Sequence, residues 1–148
     1  MADRENFIGS FHHLPNFPRA DDALTILRKI ASLVKPIMRK RSWHVGTLAE
    51  FYPEQQRNLL GMNTGQGIRI DIRLRYPSDR TLFYPLEELV DTMLHELSHN
   101  VHGPHDAKFH ALWDELRDEY QDLKMKGYTG EGFLSDGHKL GGRRIPMD

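Results

Sequence analysis

Apolar residues recur along this chain at two periods. Leu86, Leu89, Val90, Met93, Leu94, Leu97 and Val101 follow one another at three- and four-residue steps, the signature of a helix with one buried stripe. Pro85 suits the first turn of that helix, and Gly103-Pro104 suits its stop. Ile68, Ile70, Ile72 and Leu74 alternate with Arg69, Asp71, Arg73 and Arg75. A period of two predicts a strand with its aliphatic side chains on the core and three arginines on the other face. A second helical stripe, Leu24, Leu27, Ile30, Ala31, Val34, Ile37 and Met38, starts after a cap at Asp21 or Asp22; Pro36 is expected to kink it or end it near Lys35. A third, Phe109, Leu112, Trp113, Leu116, Tyr120 and Leu123, is capped by Asp106 and runs to about Lys126, before Gly127. Shorter strands are expected at 43–50, 59–62 and 82–84, with a turn over 63–67. Residues 1–19 show no period and read as an extended arm, and 127–148 as a glycine-rich segment. The pattern predicts one α+β domain over 1–148.

Composition narrows the function only a little. A hydrophobic share of 39% and a charged share of 28% are ordinary for a globular domain. No apolar run is long enough to span a bilayer, so no membrane role is expected. There is no cysteine, which excludes disulfides, thiolate metal ligands and a cysteine nucleophile, and fits a reducing compartment. Residues 1–84 carry 13 Lys+Arg against 8 Asp+Glu, and residues 85–148 carry 7 against 13. That bipolarity suits a basic face toward nucleic acid, and equally two solvated halves of one surface.

The chemistry concentrates in His95-Glu96-Leu97-Ser98-His99. Residues four apart lie on one helix face, so His95 and His99 can offer two imidazoles to one metal ion, while Glu96 lies close enough to take a proton from a bound water. Zn²⁺ is the expected ion, with three protein ligands and one open position. His102 would lie about 10 Å along the axis from His95 if the helix continued, whereas His105 follows the reversal at Gly103-Pro104. His105 is therefore the expected third ligand, ahead of His102 and His110. Lys35, Arg39, Lys40 and Arg41 lie beside Trp43 and His44, and basic residues beside an aromatic suit a phosphate backbone and a stacked base. With Arg69, Arg73 and Arg75 they form the candidate DNA-binding set. The alternative is a helix C-terminus favoured by cations and a solvated strand face. Tyr128 and His138 are candidate donors to a tetrahedral oxyanion, with no basis for choosing.

The stretch H-E-L-S-H-N-x-x-G-P-H-D-x-x-F, from His95 to Phe109, resembles the WLM metalloproteases, the fungal relatives of Spartan. The resemblance extends to Leu60-Gly61-Met62-Asn63, to Asp114-Glu115-Leu116 and to Leu140-Gly141-Gly142-Arg143. It implies an α+β zincin-like fold, a small twisted sheet with helices, in which a strand beside the active-site helix binds extended substrate; which strand is left open. It also implies a nuclear zinc protease that cleaves proteins crosslinked to DNA, is stimulated by DNA, single-stranded DNA being the expected form, and acts in crosslink repair. Family members engage SUMO and an unfolding ATPase through tail segments that are not among these 148 residues. Two other readings remain: a zinc peptidase with no nucleic-acid role, and a DNA-binding module with a structural zinc.

Overall fold

The computed structural model of the protein describes residues 7–130. Strand β1 (Ile8–His12) leads into helix α1 (Ala20–Arg41), followed by β2 (Val45–Glu50), β3 (Gly61–Thr64), β4 (Arg69–Ile72), β5 (Arg75–Tyr76), β6 (Asp79–Phe83), α2 (Leu86–Ser98) and α3 (Ala107–Met125). Four strands form one sheet in the order β1-β2-β4-β3, and β5 and β6 form a separate hairpin. β1 and β4 each run parallel to β2, and β3 runs antiparallel to β4 at the sheet's edge. The core brings Ile26, Leu27, Ile30, Val34 and Ile37 of α1 together with Leu48, Ile70 and Ile72 of the sheet and Leu89, Val90, Met93 and Leu97 of α2. No helix among the described residues is long and apolar enough to cross a membrane.

Several expectations are corrected. The segment read as an arm contains β1, which pairs with β2 from Ile8↔Val45 to His12↔Ala49. α1 has no side-chain cap; Arg19 precedes it in the left-handed region, and both Asp21 and Asp22 lie in the first turn. The helix also continues through Pro36. Proline lacks the N–H that would bond the carbonyl of Ser32, and the Tyr128 hydroxyl donates to that carbonyl instead, at 2.6 Å. The break expected at Lys35 is avoided because a residue far along the chain supplies the missing donor.

The strand expected over 68–75 is divided. Ile68 is 69% exposed, β4 ends at Ile72, and Arg75 belongs to the hairpin. The expected alternation is present in β4, with Ile70 and Ile72 in the core, but the opposite face is not open to solvent. Arg73 and Arg75 are 1% and 0% exposed. Loop 53–60 wraps the Arg73 guanidinium, whose Nε donates to Leu59 O at 3.0 Å and whose Nη2 donates to Pro53 O and Gln56 O at 2.7 and 3.0 Å. Arg75 Nε donates to Glu50 Oε2 at 2.5 Å, and its Nη1 donates to the carbonyls of Pro18 and Arg80. Buried charge is tolerated only where it is paired and hydrogen-bonded, and here it staples loop 53–60 and the segment before α1 to β2 and the hairpin.

Candidate active site

α2 is a helix for the reason its stripe predicts: Leu86, Leu89, Val90, Met93, Leu94 and Leu97 are all buried. It ends earlier than expected. His99 N and Asn100 N donate to carbonyls three residues back, Glu96 O and Leu97 O, both at 3.0 Å, so the last turn tightens at Ser98. Val101, expected in the stripe, is 48% exposed. The early stop lets the chain reverse before His105.

The reversal brings three imidazoles together. Nε2 of His105 lies 3.1 Å from Nε2 of His99 and 3.3 Å from Nε2 of His95. Four-coordinate zinc with bonds of about 2.0–2.1 Å holds its ligand atoms about 3.3–3.4 Å apart, so the spacing fits such an ion. The tautomers fit too. His99 Nδ1 lies 3.0 Å from the carbonyl oxygen of His102, to which it donates, leaving a lone pair on Nε2. Burial and the neighbouring imidazoles His99 and His105 hold His95 down at about 4, so it is neutral at physiological pH. Three ring nitrogens converging at this spacing can hold one cation between them. His102 thus contributes its backbone, and His110 lies exposed on α3, outside the cluster.

Glu96 is 5% exposed, and its Oε2 lies 3.9 Å from His95 Nε2. Burial, with the Asp71 carboxylate adding to it, pushes its carboxyl up to about 7. β3 passes directly over it. A Cβ on Gly61 would meet Glu96 Oε2 at 2.8 Å and the Thr92 methyl at 2.9 Å, so a side chain there would displace the Glu96 carboxylate. Asn63 then ties the strand to the helix end: its Nδ2 donates to Glu96 O at 2.7 Å and Asn100 Oδ1 at 2.8 Å, and its Oδ1 accepts from Gly67 N at 2.8 Å. Glu96 O, which already accepts from His99 N in the tightened last turn, thereby gains a second donor from β3. Glu88, Thr92 and Glu96 follow at four-residue steps on one face, and a groove of about 340 Å³ lined by Leu60, Tyr84, Glu88, Leu89 and Thr92 extends along it.

α3 supplies the site's other wall, which the sequence reading assigned to core alone. Asp106 caps the helix as expected, its Oδ1 accepting from Phe109 N at 3.1 Å. Phe109, 0% exposed, lies with its ring centroid 4.9, 4.5 and 4.9 Å from those of His95, His99 and His105. It is the platform on which the three imidazoles rest. Trp113 stands edge-on to His95 at 4.6 Å and donates from Nε1 to Asp91 Oδ1 at 3.2 Å. The nearest sequence signal was an aromatic four and eight residues after His105, which helical spacing turns toward one point.

The remaining candidates are placed elsewhere. Tyr128 is committed to α1, and His138 lies outside the described residues. Arg41 is held between Glu119 Oε2 at 2.6 Å and Glu115 Oε2 at 2.7 Å, with Lys40 3.3 Å from Glu119. Trp43 lies under the Arg41 guanidinium at 5.4 Å. This cluster ties α1 to α3. Lys35 and Arg39 are half-buried, and Arg69 is paired with Asp71 at 3.1 Å. The expected open row of Arg69, Arg73 and Arg75 is therefore not formed.

The family model described as WLM domain matches residues 6–148. The chain belongs to the WLM family. Among curated relatives, this WLM domain is 43% identical over 140 residues to the DNA-dependent metalloprotease WSS1 of Saccharomyces cerevisiae, covering 90% of this chain and 51% of that protein. It is 34% identical over 128 residues to the DNA-dependent metalloprotease WSS1 homolog 2 of Schizosaccharomyces pombe, covering 82% of this chain and 44% of that one. The chain thus spans about half the length of the curated relatives it matches. The crystal structure of Wss1 from S. cerevisiae superposes with a TM-score of 0.80 at 41% identity, over 83% of this chain and 95% of the other. The α+β fold is thus that of the solved Wss1 structures.

Proposed function

We infer that this WLM domain is a zinc-dependent peptidase acting on proteins bound or crosslinked to DNA, stimulated by DNA, and working in crosslink repair in the nucleus. The observation that carries the hydrolytic part is the convergence of three Nε2 atoms beside a buried carboxylate. When bound there, a zinc ion supplies a Lewis acid and a water acidic enough to ionise near neutral pH. His95, His99 and His105 would hold it, and the Phe109 platform with the His102 carbonyl fixes their orientation. Glu96 accepts the proton of the attacking water and returns it to the leaving amine. Its raised carboxyl suits a group that must do both. β3, the sheet edge lying over Glu96, is the strand that pairs with extended substrate, and the groove along α2 receives a substrate side chain. A structural zinc needs neither an open ligand position nor a glycine cleared for a buried carboxylate. The DNA part rests on the relatives, both named DNA-dependent metalloproteases.

The test is Glu96→Gln, which keeps size and removes the base. Zinc content should be unchanged, and cleavage of a DNA-binding protein in the presence of single-stranded DNA should fall about 10²–10⁴-fold. Undiminished cleavage by the zinc-loaded variant would overturn the mechanism. Cleavage by the parent protein that ignores DNA would leave a general zinc peptidase.

A further inference from the structure

The expected arginine row is buried, yet arginine chemistry remains exposed on the far side of loop 53–60. That loop and the β5–β6 turn enclose a pocket of about 210 Å³ whose polar lining is Tyr52, Glu54, Arg57, Arg73 and Arg80. We propose that this pocket holds a phosphate of a nucleic-acid backbone, with the Arg57 and Arg80 guanidiniums as its ligands. The proposal rests on the DNA-dependent reading above and gives it a place on the molecule.

Charge is the first support. Three guanidiniums line the pocket against one carboxylate, Glu54, which reaches Arg80 Nη2 at 2.5 Å while 65% of its side chain stays exposed. Arg57 is exposed and makes no ion pair among the described residues. Asp79, in the same turn, is turned onto Thr81, accepting from its N at 2.9 Å and its Oγ1 at 2.6 Å. Arg73 adds charge behind the pocket, and its buried Nη1 has no hydrogen-bond partner. Guanidinium forks match phosphate oxygens in geometry and give up hydration more readily than an ammonium.

Preorganisation is the second. Arg80 does not wave in solvent. Its guanidinium lies 4.7 Å from the Phe17 ring and 5.2 Å from the Tyr52 ring. The same aromatic faces carry Arg75 at 5.1 Å and Arg73 at 5.1 Å. Tyr52 is itself pinned, its hydroxyl donating to Tyr76 O at 3.0 Å and Pro77 O at 2.8 Å. Ring faces hold the Arg80 guanidinium in place beside its one exposed carboxylate partner, so little ordering remains when an anion arrives.

Position is the third. Arg73 lines both this pocket and the groove along α2. A DNA phosphate on one side of that guanidinium and a polypeptide on the other is the arrangement a protein attached to DNA presents. The loop that Arg73 holds through Pro53, Gln56 and Leu59 leads into Gly61 over Glu96. An anion that stiffens this loop therefore bears on the strand above the catalytic carboxylate, a physical route from DNA to cleavage.

The test uses the zinc-loaded protein and a fluorescent single-stranded oligonucleotide, with affinity read by anisotropy across a salt series. Arg57→Glu should weaken binding about tenfold at low salt and make the slope of log K against log salt shallower by about 0.7 per lost phosphate. Glu54→Gln, which frees Arg80, should tighten binding severalfold. Both positions are exposed, and circular dichroism with zinc stoichiometry checks that each variant is folded. Binding by Arg57→Glu that matches the parent at every salt concentration overturns the proposal, as does a parent that binds no oligonucleotide. Inorganic phosphate or polyglutamate displacing the probe as well as unlabelled DNA does would make this a general anion pocket, which also overturns it. A parent that binds DNA in this pocket and cleaves nothing would sink the protease reading and leave the pocket standing.

Discussion

The histidine cluster and the arginine cluster make an instructive pair. Both are groups of like side chains of which sequence spacing places at least two on one face of one expected element. For the histidines the spacing was sufficient: His95 and His99 face the same way on α2, and His105 returns to meet them. For the arginines the same logic gave the alternation within β4 and the wrong environment beyond it. Arg73 follows the end of β4 and Arg75 lies in the hairpin, and loop 53–60 and the β5–β6 hairpin bury both. A period reports which side chains share a side. It does not report what lies against that side, because the covering segments are remote in sequence and their own patterns carry no mark of where they dock.

The sharpest way to break this comparison is to treat the buried arginine as if it were surface. Arg75→Met leaves the Glu50 carboxylate, 3% exposed, without its cationic partner. Unpairing a buried ion of this kind costs about 3–5 kcal/mol, a large part of a domain's usual stability. The check is the urea midpoint with the slope unchanged, set against Arg69→Ala, whose partly exposed pair is expected to count for no more than about 1 kcal/mol. If the two variants unfold together, the Arg75 staple is not what holds the loops.

On the histidine side, His105→Ala should lose tight zinc binding, since a catalytic zinc takes three ligands from the protein and this removes one. His102→Ala should leave zinc bound, because only the backbone carbonyl of His102 touches the site. Elemental analysis of each purified variant decides between them. Loss of zinc from His102→Ala with retention in His105→Ala would falsify the ligand set.

The smallest effect belongs to the repaired helix. Tyr128→Phe removes the donor to Ser32 O and should destabilise by about 0.5–1.5 kcal/mol. In a Pro36→Ala background, where the helix can supply its own N–H, the same change should cost clearly less. A double-mutant cycle measured by thermal unfolding gives the coupling, and a value of zero would mean that Pro36 is accommodated by some other means.

Much of the site was legible in the chain. The stripe of α2, the placement of His95 and His99 four apart, the Asp106 cap and the aliphatic face of β4 are all local relations set by helical and strand periods, which any tertiary context must respect. What only the tertiary structure decided are relations between segments distant in sequence. β1 became a strand because β2 offered a parallel edge. α1 ran through Pro36 because Tyr128 reached Ser32 O. α2 stopped at Ser98 with Asn63 taking up the carbonyl of Glu96. Phe109, an ordinary core position on its own helix, became the floor under three imidazoles because α3 packs across the end of α2. In each case a backbone polar group or a side-chain face acquired its partner from elsewhere in the chain, and such partnerships follow from packing rather than from period.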